Sequence, residues 1–309
     1  MEIKELHGLT VALADVREAL DTDWETHRGH VEIVRVIDPP ESSRRALAQA
    51  GFFIKPSWLT WVADACDSEA RFLAGLRRKE RQNVNTARRR MAEAGVVIDV
   101  VPLDAPLLDA FLDLYRRQVA TMRNAFPVAV QQREQLLSRA AEFFVVRAVD
   151  GDTVVGACIS QCLPEVGLVR LRFSAVDEPG RDRSLSRVMY VRALSEARTR
   201  GLRQVSLGND PNLYGHIVET GLFDFKSRLG FTAVPSQGVA PFAGNDTAEL
   251  ILDRSALSYP SLFLSYEGEA DGPPMARTLR MEYLGHADSP DLPRYASAFP
   301  GEVRVHPWV

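Results

Sequence analysis

The chain is poor in the residues that mark several large functional classes. Only three of its 309 residues are cysteine. Cys66, Cys158 and Cys162 form an odd set without paired spacing, which argues against a disulfide framework and a zinc ribbon. Cys158 and Cys162 sit in an apolar, strand-like stretch and read as small core residues. The six histidines show no metal-ligand spacing, and none accompanies a serine or cysteine nucleophile motif. His27 and His30, close to Asp21, Asp23 and Glu25, read as surface. No apolar run approaches the roughly 20 residues a membrane-spanning helix needs. Met1-Glu-Ile-Lys-Glu-Leu6 lacks the basic start and apolar block of a secretory signal, so a cytoplasmic protein without a membrane partner is expected. There is no Gly-x-Ser-x-Gly elbow, no P-loop and no complete dinucleotide fingerprint, and neither a metal nor a tightly bound cofactor is expected.

What is present is ordinary for a globular protein: 46% hydrophobic and 25% charged residues, enough for a sizeable core. The net charge of −4 and a pI near 5.9 argue against a dedicated nucleic-acid binder, although the distribution of charge matters more than its sum. Val31–Ile37 alternates apolar and polar residues. Ser42 or Ser43 can cap a short helix that Gly51 ends, and aromatic, extended segments follow at Phe52–Ile54 and Trp58–Trp61. Ser68 to Ala94 reads as one long helix stopped by Gly95. A strand over Val96–Val101, an amphipathic helix through Leu108, Phe111, Leu112 and Tyr115, and a helix over Gln131–Ala141 come next. Three strand-like runs follow at Glu142–Val149, Thr153–Ser160 and Leu168–Ala175, the first two joined by an Asp150-Gly151 hairpin signal. A loop at Asp177–Arg183, a helix from Ser184 to Arg200 and a buried strand at Gln204–Leu207 complete the series.

The stretch Ser206-Leu-Gly-Asn-Asp-Pro-Asn-Leu-Tyr-Gly215, followed by Gly221-Leu-Phe-Asp-Phe-Lys-Ser-Arg-Leu-Gly-Phe231, carries the strongest functional signal. In this order a strand ends in a polar turn, and a Phe-Lys pair leads into a Gly-Phe corner. Over roughly residues 65 to 240 the order of elements resembles the GNAT superfamily of acyltransferases, and in particular its Fem-type branch. The resemblance implies an α/β fold with a GNAT-like mixed, mainly antiparallel sheet and flanking helices, in a tandem arrangement. Residues 1–100 would be a degenerate N-terminal subdomain carrying the basic helix, 101–240 the acyltransferase domain, and 241–309 an extension without an assigned role.

The resemblance also implies roles. Fem-type enzymes move an aminoacyl group from aminoacyl-tRNA to an amine, with the Phe-Lys pair at the reacting carbonyl. Lys226 would then steady the oxyanion and Phe225 position the donor; alternatively Lys226 is a solvated lysine on a connecting segment. Asp210 can orient or deprotonate the attacking amine, with Asn209 and Tyr214 beside the donor. The rival reading is turn chemistry, which Gly-Asn-Asp-Pro favours in any protein. Acyl-CoA-dependent relatives carry glycines in the loop before the crossover helix. Here Arg181-Asp-Arg-Ser-Leu-Ser186 has none at the required spacing, although Arg181, Arg183 and Ser184 can still meet phosphate.

Seven cations fall within fourteen residues of Arg77–Arg90, opposed only by Glu80. Arg77, Arg78, Arg81, Arg88 and Arg89 are candidates for tRNA phosphate contacts, or else a solvated helical face. Tyr115 and Arg123 are candidates for acceptor binding, with core packing the alternative for Tyr115. The expected activity is amide formation from aminoacyl-tRNA and a small amine-bearing acceptor. An acyl-CoA-dependent N-acyltransferase and a non-catalytic binding module of the same fold are the alternatives.

Overall fold

The computed structural model of the protein describes residues 1–121, 127–240, 243–268 and 272–308, Met275 by its backbone alone. Two compact units are present. The first comprises Met1–Thr60, Asn209–Ser227 and Ala233–Val309, the second Trp61–Gly208 and Arg228–Thr232.

From the N-terminus, β1 (Glu2–Leu6) and β2 (Leu9–Leu13) pair antiparallel, and β3 (Ile33–Ile37) runs parallel to β2. The helix Glu41–Gln49 precedes β4 (Phe53–Pro56), and β5 (Trp58–Asp64) carries the chain out of the first unit. The long helix expected from Ser68 to Ala94 is two helices, Glu69–Gly75 and Arg78–Glu93. Leu76 and Arg77 between them are extended, with ψ of 148° and 149°. Arg81 accounts for the break. Its Nη1 donates to the carbonyls of Leu73, Ala74 and Leu76 at 3.4, 3.3 and 3.2 Å. These belong to the last turn, where a helix leaves its carbonyls without partners. Hydrophobic periodicity, which continues through Leu76, cannot register a side chain folded back onto a helix end.

β6 (Val97–Pro102), the helix Ala105–Val119, β7 (Phe143–Asp150), β8 (Thr153–Leu163) and β9 (Leu168–Val176) follow. The Asp150-Gly151 turn is observed: Asp150 pairs with Thr153, and Gly151 adopts φ +57°. The helix expected at Gln131–Ala141 is instead three short turns, Val128–Gln131, Arg133–Ser138 and Ala140–Glu142. Leu108, Phe111 and Leu112 of the helix Ala105–Val119 belong to one buried cluster with Val145, Ala157 and Ile159 of the strands. The helix Leu185–Thr199 buries Leu185, Val188, Met189 and Ala193. It lies so close to β8 that a Cβ on Gly156 would stand 2.8 Å from Leu185 Cδ2. β10 (Gln204–Pro211), the helix Thr220–Arg228 and β11 (Thr232–Pro235) complete a seven-stranded sheet in the order β11-β5-β10-β9-β8-β7-β6.

The segment after residue 240 is no appendage. β12 (Asp246–Ile251) lies antiparallel between β3 and β4, giving the first unit the order β1-β2-β3-β12-β4. β13 (Ser261–Tyr266), β14 (Leu279–Leu284) and β15 (Val303–His306) form a third sheet in the same unit. The divisions expected at residues 100 and 240 therefore do not describe the compact units. Backbone pairing of β12 with two early strands joins sequence that is some 200 residues apart, a link local patterning cannot reveal. The expected fold class is observed: a mixed α/β protein whose sheets are mainly antiparallel and flanked by helices. Among the described residues, no helix is long and apolar enough to cross a membrane.

Candidate active site

Each unit carries one candidate feature of its own. In the second unit the parallel ladder between β9 and β10 runs only from Leu168↔Gln204 to Arg170↔Ser206. Beyond it Gly208 takes φ +78°, and its N–H donates to Ser206 Oγ at 3.0 Å, turning β10 out of register. β9 continues six residues further in its pairing with β8. It bulges there as well: Phe173 faces Ile159 and Leu171 faces Ser160, so Arg172 is the extra residue. A parallel ladder this short beside a longer strand is the kind of edge along which an extended substrate can lie.

In the first unit the structure brings together Asp210, Tyr214 and Lys226. Lys226 is not on a connecting segment. It lies on the helix Thr220–Arg228, one turn after Phe223, and both are buried. Lys226 Nζ donates to both carboxylate oxygens of Asp210, at 2.8 and 2.7 Å. The Tyr214 hydroxyl donates to Asp210 Oδ2 at 2.9 Å. Asp210 is itself 6% exposed and sits within β10, not in a solvated turn. Tyr214 is placed by two backbone hydrogen bonds with Leu262 of β13, and its ring meets Phe223 edge-on at 5.2 Å. Gly215 permits this approach: its φ is +96°, and any Cβ would fall 2.1 Å from the carbonyl oxygen of Pro260.

Burial drives the Lys226 ammonium down from its usual range, opposed by the Asp210 charge beside it. Removing either partner would leave a buried charge uncompensated, at a cost of about 3–5 kcal/mol. The arrangement supplies a fixed N–H donor of positive charge held by a carboxylate, which is the equipment needed to steady a developing oxyanion.

The other candidates are distributed more widely. Asn209 is exposed, and its Oδ1 accepts from Thr60. Phe225 is half-buried on the same helix as Lys226. Arg181 is exposed in the last turn of the short helix Glu178–Asp182, while Arg183 and Ser184 are half-buried, Ser184 with φ +62°. These three belong to the second unit, and the Asp210 cluster to the first. The loop is not an open cradle, because Asp177 Oδ1 already accepts from the Gly180 N–H at 2.7 Å. A carboxylate therefore occupies a backbone donor where a phosphate would need one.

The basic helix also differs from expectation, since its cations are not unopposed. Arg88 pairs with Glu69 at 2.8 Å, Arg89 with Glu93 at 3.7 Å, and Arg81 is committed to the carbonyls before it. Glu80 is buried and bound by Arg187 at 2.5 Å. Arg77 and Arg78 remain exposed. Tyr115 stacks on Phe111 and meets Phe173 edge-on within the helix–sheet core, the packing alternative left open by the sequence. Arg123 lies outside the described residues. Cys158 is fully buried, its thiol pushed up to about 12 by desolvation, in keeping with a core role.

Sequence reasoning passed over one cluster entirely. Lys55 of β4, Glu249 of β12 and Arg35 of β3 form a buried ion network in the first unit. Lys55 Nζ lies 2.8 Å from Glu249 Oε2, and Arg35 Nε lies 2.7 Å from Glu249 Oε1. The available signal was a charge at an inward position in each of three apolar strands.

Residues 78–226 match the family described as "Acetyltransferase (GNAT) domain", and the match ends on Lys226. No curated protein matches the sequence. Among solved structures, FemX is 12% identical, covering 81% of this chain and 83% of its own, with a TM-score of 0.46. L-PGS from Bacillus licheniformis is 10% identical over 80% of this chain and 79% of its own, with a TM-score of 0.41. A GCN5-related N-acetyltransferase from Sphaerobacter thermophilus is 16% identical over 71% and 59%, with a TM-score of 0.36. The family match thus covers residues 78–226, just under half of the chain, and the mixed, mainly antiparallel seven-stranded sheet is in keeping with a GNAT-type acyltransferase fold there.

Proposed function

We propose that the protein transfers an aminoacyl group from the ester of an aminoacyl-tRNA to the amine of a small acceptor. The observation that carries this reading is the burial of Lys226 against Asp210 at the end of the GNAT-matched stretch. The amine lone pair attacks the ester carbonyl, the C–N bond forms, and the carbonyl oxygen becomes negative. Lys226 steadies that oxygen while Phe225 positions the donor. Collapse breaks the C–O bond, and the ammonium proton passes to the departing ribose oxygen. Asp210 already accepts from Lys226 and Tyr214, which weakens it as a base; its role is to fix Lys226.

Two observations support tRNA over CoA as the donor. Asp177 occupies a backbone donor in the phosphate loop, and Arg77 and Arg78 are exposed for phosphate contact. The match to an acetyltransferase family favours an acyl-CoA donor as the second reading. The test is amide formation followed by mass shift, using purified protein, an amine mixture and either charged tRNA or acyl-CoA. Product that disappears on RNase treatment supports the tRNA reading; turnover sustained by acyl-CoA alone refutes it. Absence of product with either donor favours a binding module.

A further inference from the structure

The first unit contains a cavity of about 220 Å³, smaller than the roughly 300–1,000 Å³ of drug-sized sites. Its walls include Asn212, Ile217 and Trp58, and its charged residues are Arg35, Lys55 and Glu249. Strand register explains how they meet. Glu249 stands opposite Arg35 on one side, and Thr247 stands opposite Lys55 on the other, so alternation puts all three charges on one face of β3-β12-β4. Lys55 is 3% and Glu249 5% exposed. Besides Glu249, Lys55 Nζ donates to the Asn212 carbonyl at 3.0 Å and lies 4.9 Å from the centre of the Phe263 ring. Both Glu249 oxygens are engaged, one by each cation.

Two cations share one carboxylate, so the cluster carries an excess of positive charge in a largely buried setting. Arg35 uses only Nε among the described residues, and its side chain keeps 23% of its exposure. Its terminal nitrogens are therefore available to a planar acceptor. At the cavity's rim, Trp58 is 41% and Ile37 52% exposed, an apolar border around a polar floor.

We infer that this cavity binds the carboxylate of a small monoanionic ligand with an apolar body, through Arg35. A carboxylate is favoured over a phosphate dianion because one negative charge balances the excess, whereas a second would face Glu249 uncompensated. The inference does not depend on the acyl-transfer reading.

Titration calorimetry on the full chain tests it with three probes: N-acetyl-L-phenylalanine, the same molecule as its neutral primary amide, and inorganic phosphate. The carboxylate is expected to bind at least about tenfold more tightly than the amide, the value of one hydrogen-bonded charge pair. Arg35→Gln should abolish that preference while leaving the Lys55–Glu249 pair in place. Trp58→Ala, at an exposed position, should weaken the carboxylate several-fold, with circular dichroism establishing that the variant is folded. Equal affinity for acid and amide, no binding of the acid, tighter binding of phosphate, or indifference to both substitutions would each overturn the assignment.

Discussion

Two lysines of the first unit, Lys226 and Lys55, are buried to nearly the same degree, at 5% and 3% exposure. Their surroundings differ in charge balance. Lys226 pairs with Asp210, which also accepts from the Tyr214 hydroxyl, so one ammonium faces one carboxylate. Lys55 shares its carboxylate with an arginine, so that cluster keeps a positive charge. Burial alone thus says little about what a lysine does. A balanced pair suits transient charge that appears during a reaction, while an excess suits an anion that stays.

The comparison can be broken first at Asp210. Asp210→Asn should destabilise the protein by about 3–5 kcal/mol, because it strands the Lys226 ammonium. Adding Lys226→Met should recover much of that loss, which denaturant titration of the single and double variants would reveal. If the single variant is as stable as the parent, Lys226 is not held as described. Next, Lys226→Met alone should lower kcat about 10²–10³-fold, the usual cost of one oxyanion donor. Circular dichroism would establish that the variant is folded, and an unchanged kcat would remove Lys226 from the reaction.

A third expectation concerns pH. Burial pushes the Glu249 carboxyl up, but Lys55 and Arg35 outweigh it, and the group ends below its usual range. A depressed carboxylate contributes stability above its unfolded pKa, roughly 4.3, and loses it as pH falls through the folded value. The melting-temperature gap between the parent and Glu249→Gln should therefore be full near neutrality and narrow below about pH 4. A gap that is flat across this range would contradict the pairing. The smallest effect is expected at the basic helix. Replacing exposed Arg77 and Arg78 with alanine should weaken tRNA binding and flatten its salt dependence, each lost phosphate contact removing about 0.7–0.9 from the logarithmic slope.

Much of the fold is legible in the sequence where local chemistry decides it. Asp150-Gly151 marks the β7–β8 turn, Gly201 follows the helix Leu185–Thr199, and Phe225-Lys226 flags a cluster that the fold does assemble. The break before Arg78 was not legible, because Arg81 makes it by reaching back to carbonyls that no periodicity records. The partner of Lys226 was only half legible. Asp210 reads as a turn residue by its neighbours, and only its place inside β10 buries it. Lys55, Arg35 and Glu249 look like separate surface charges until β12 sets them side by side.

That placement of β12 has a consequence for how the chain comes to be made. β3 and β4 are made well before the strand that separates them, which begins only at Asp246. Until the residues between β4 and β12 have been added, both therefore expose unpaired backbone edges, the condition in which nascent chains associate wrongly. The first unit can settle only once β12 has been made, whereas the meander of β7, β8 and β9 has its strands together far sooner.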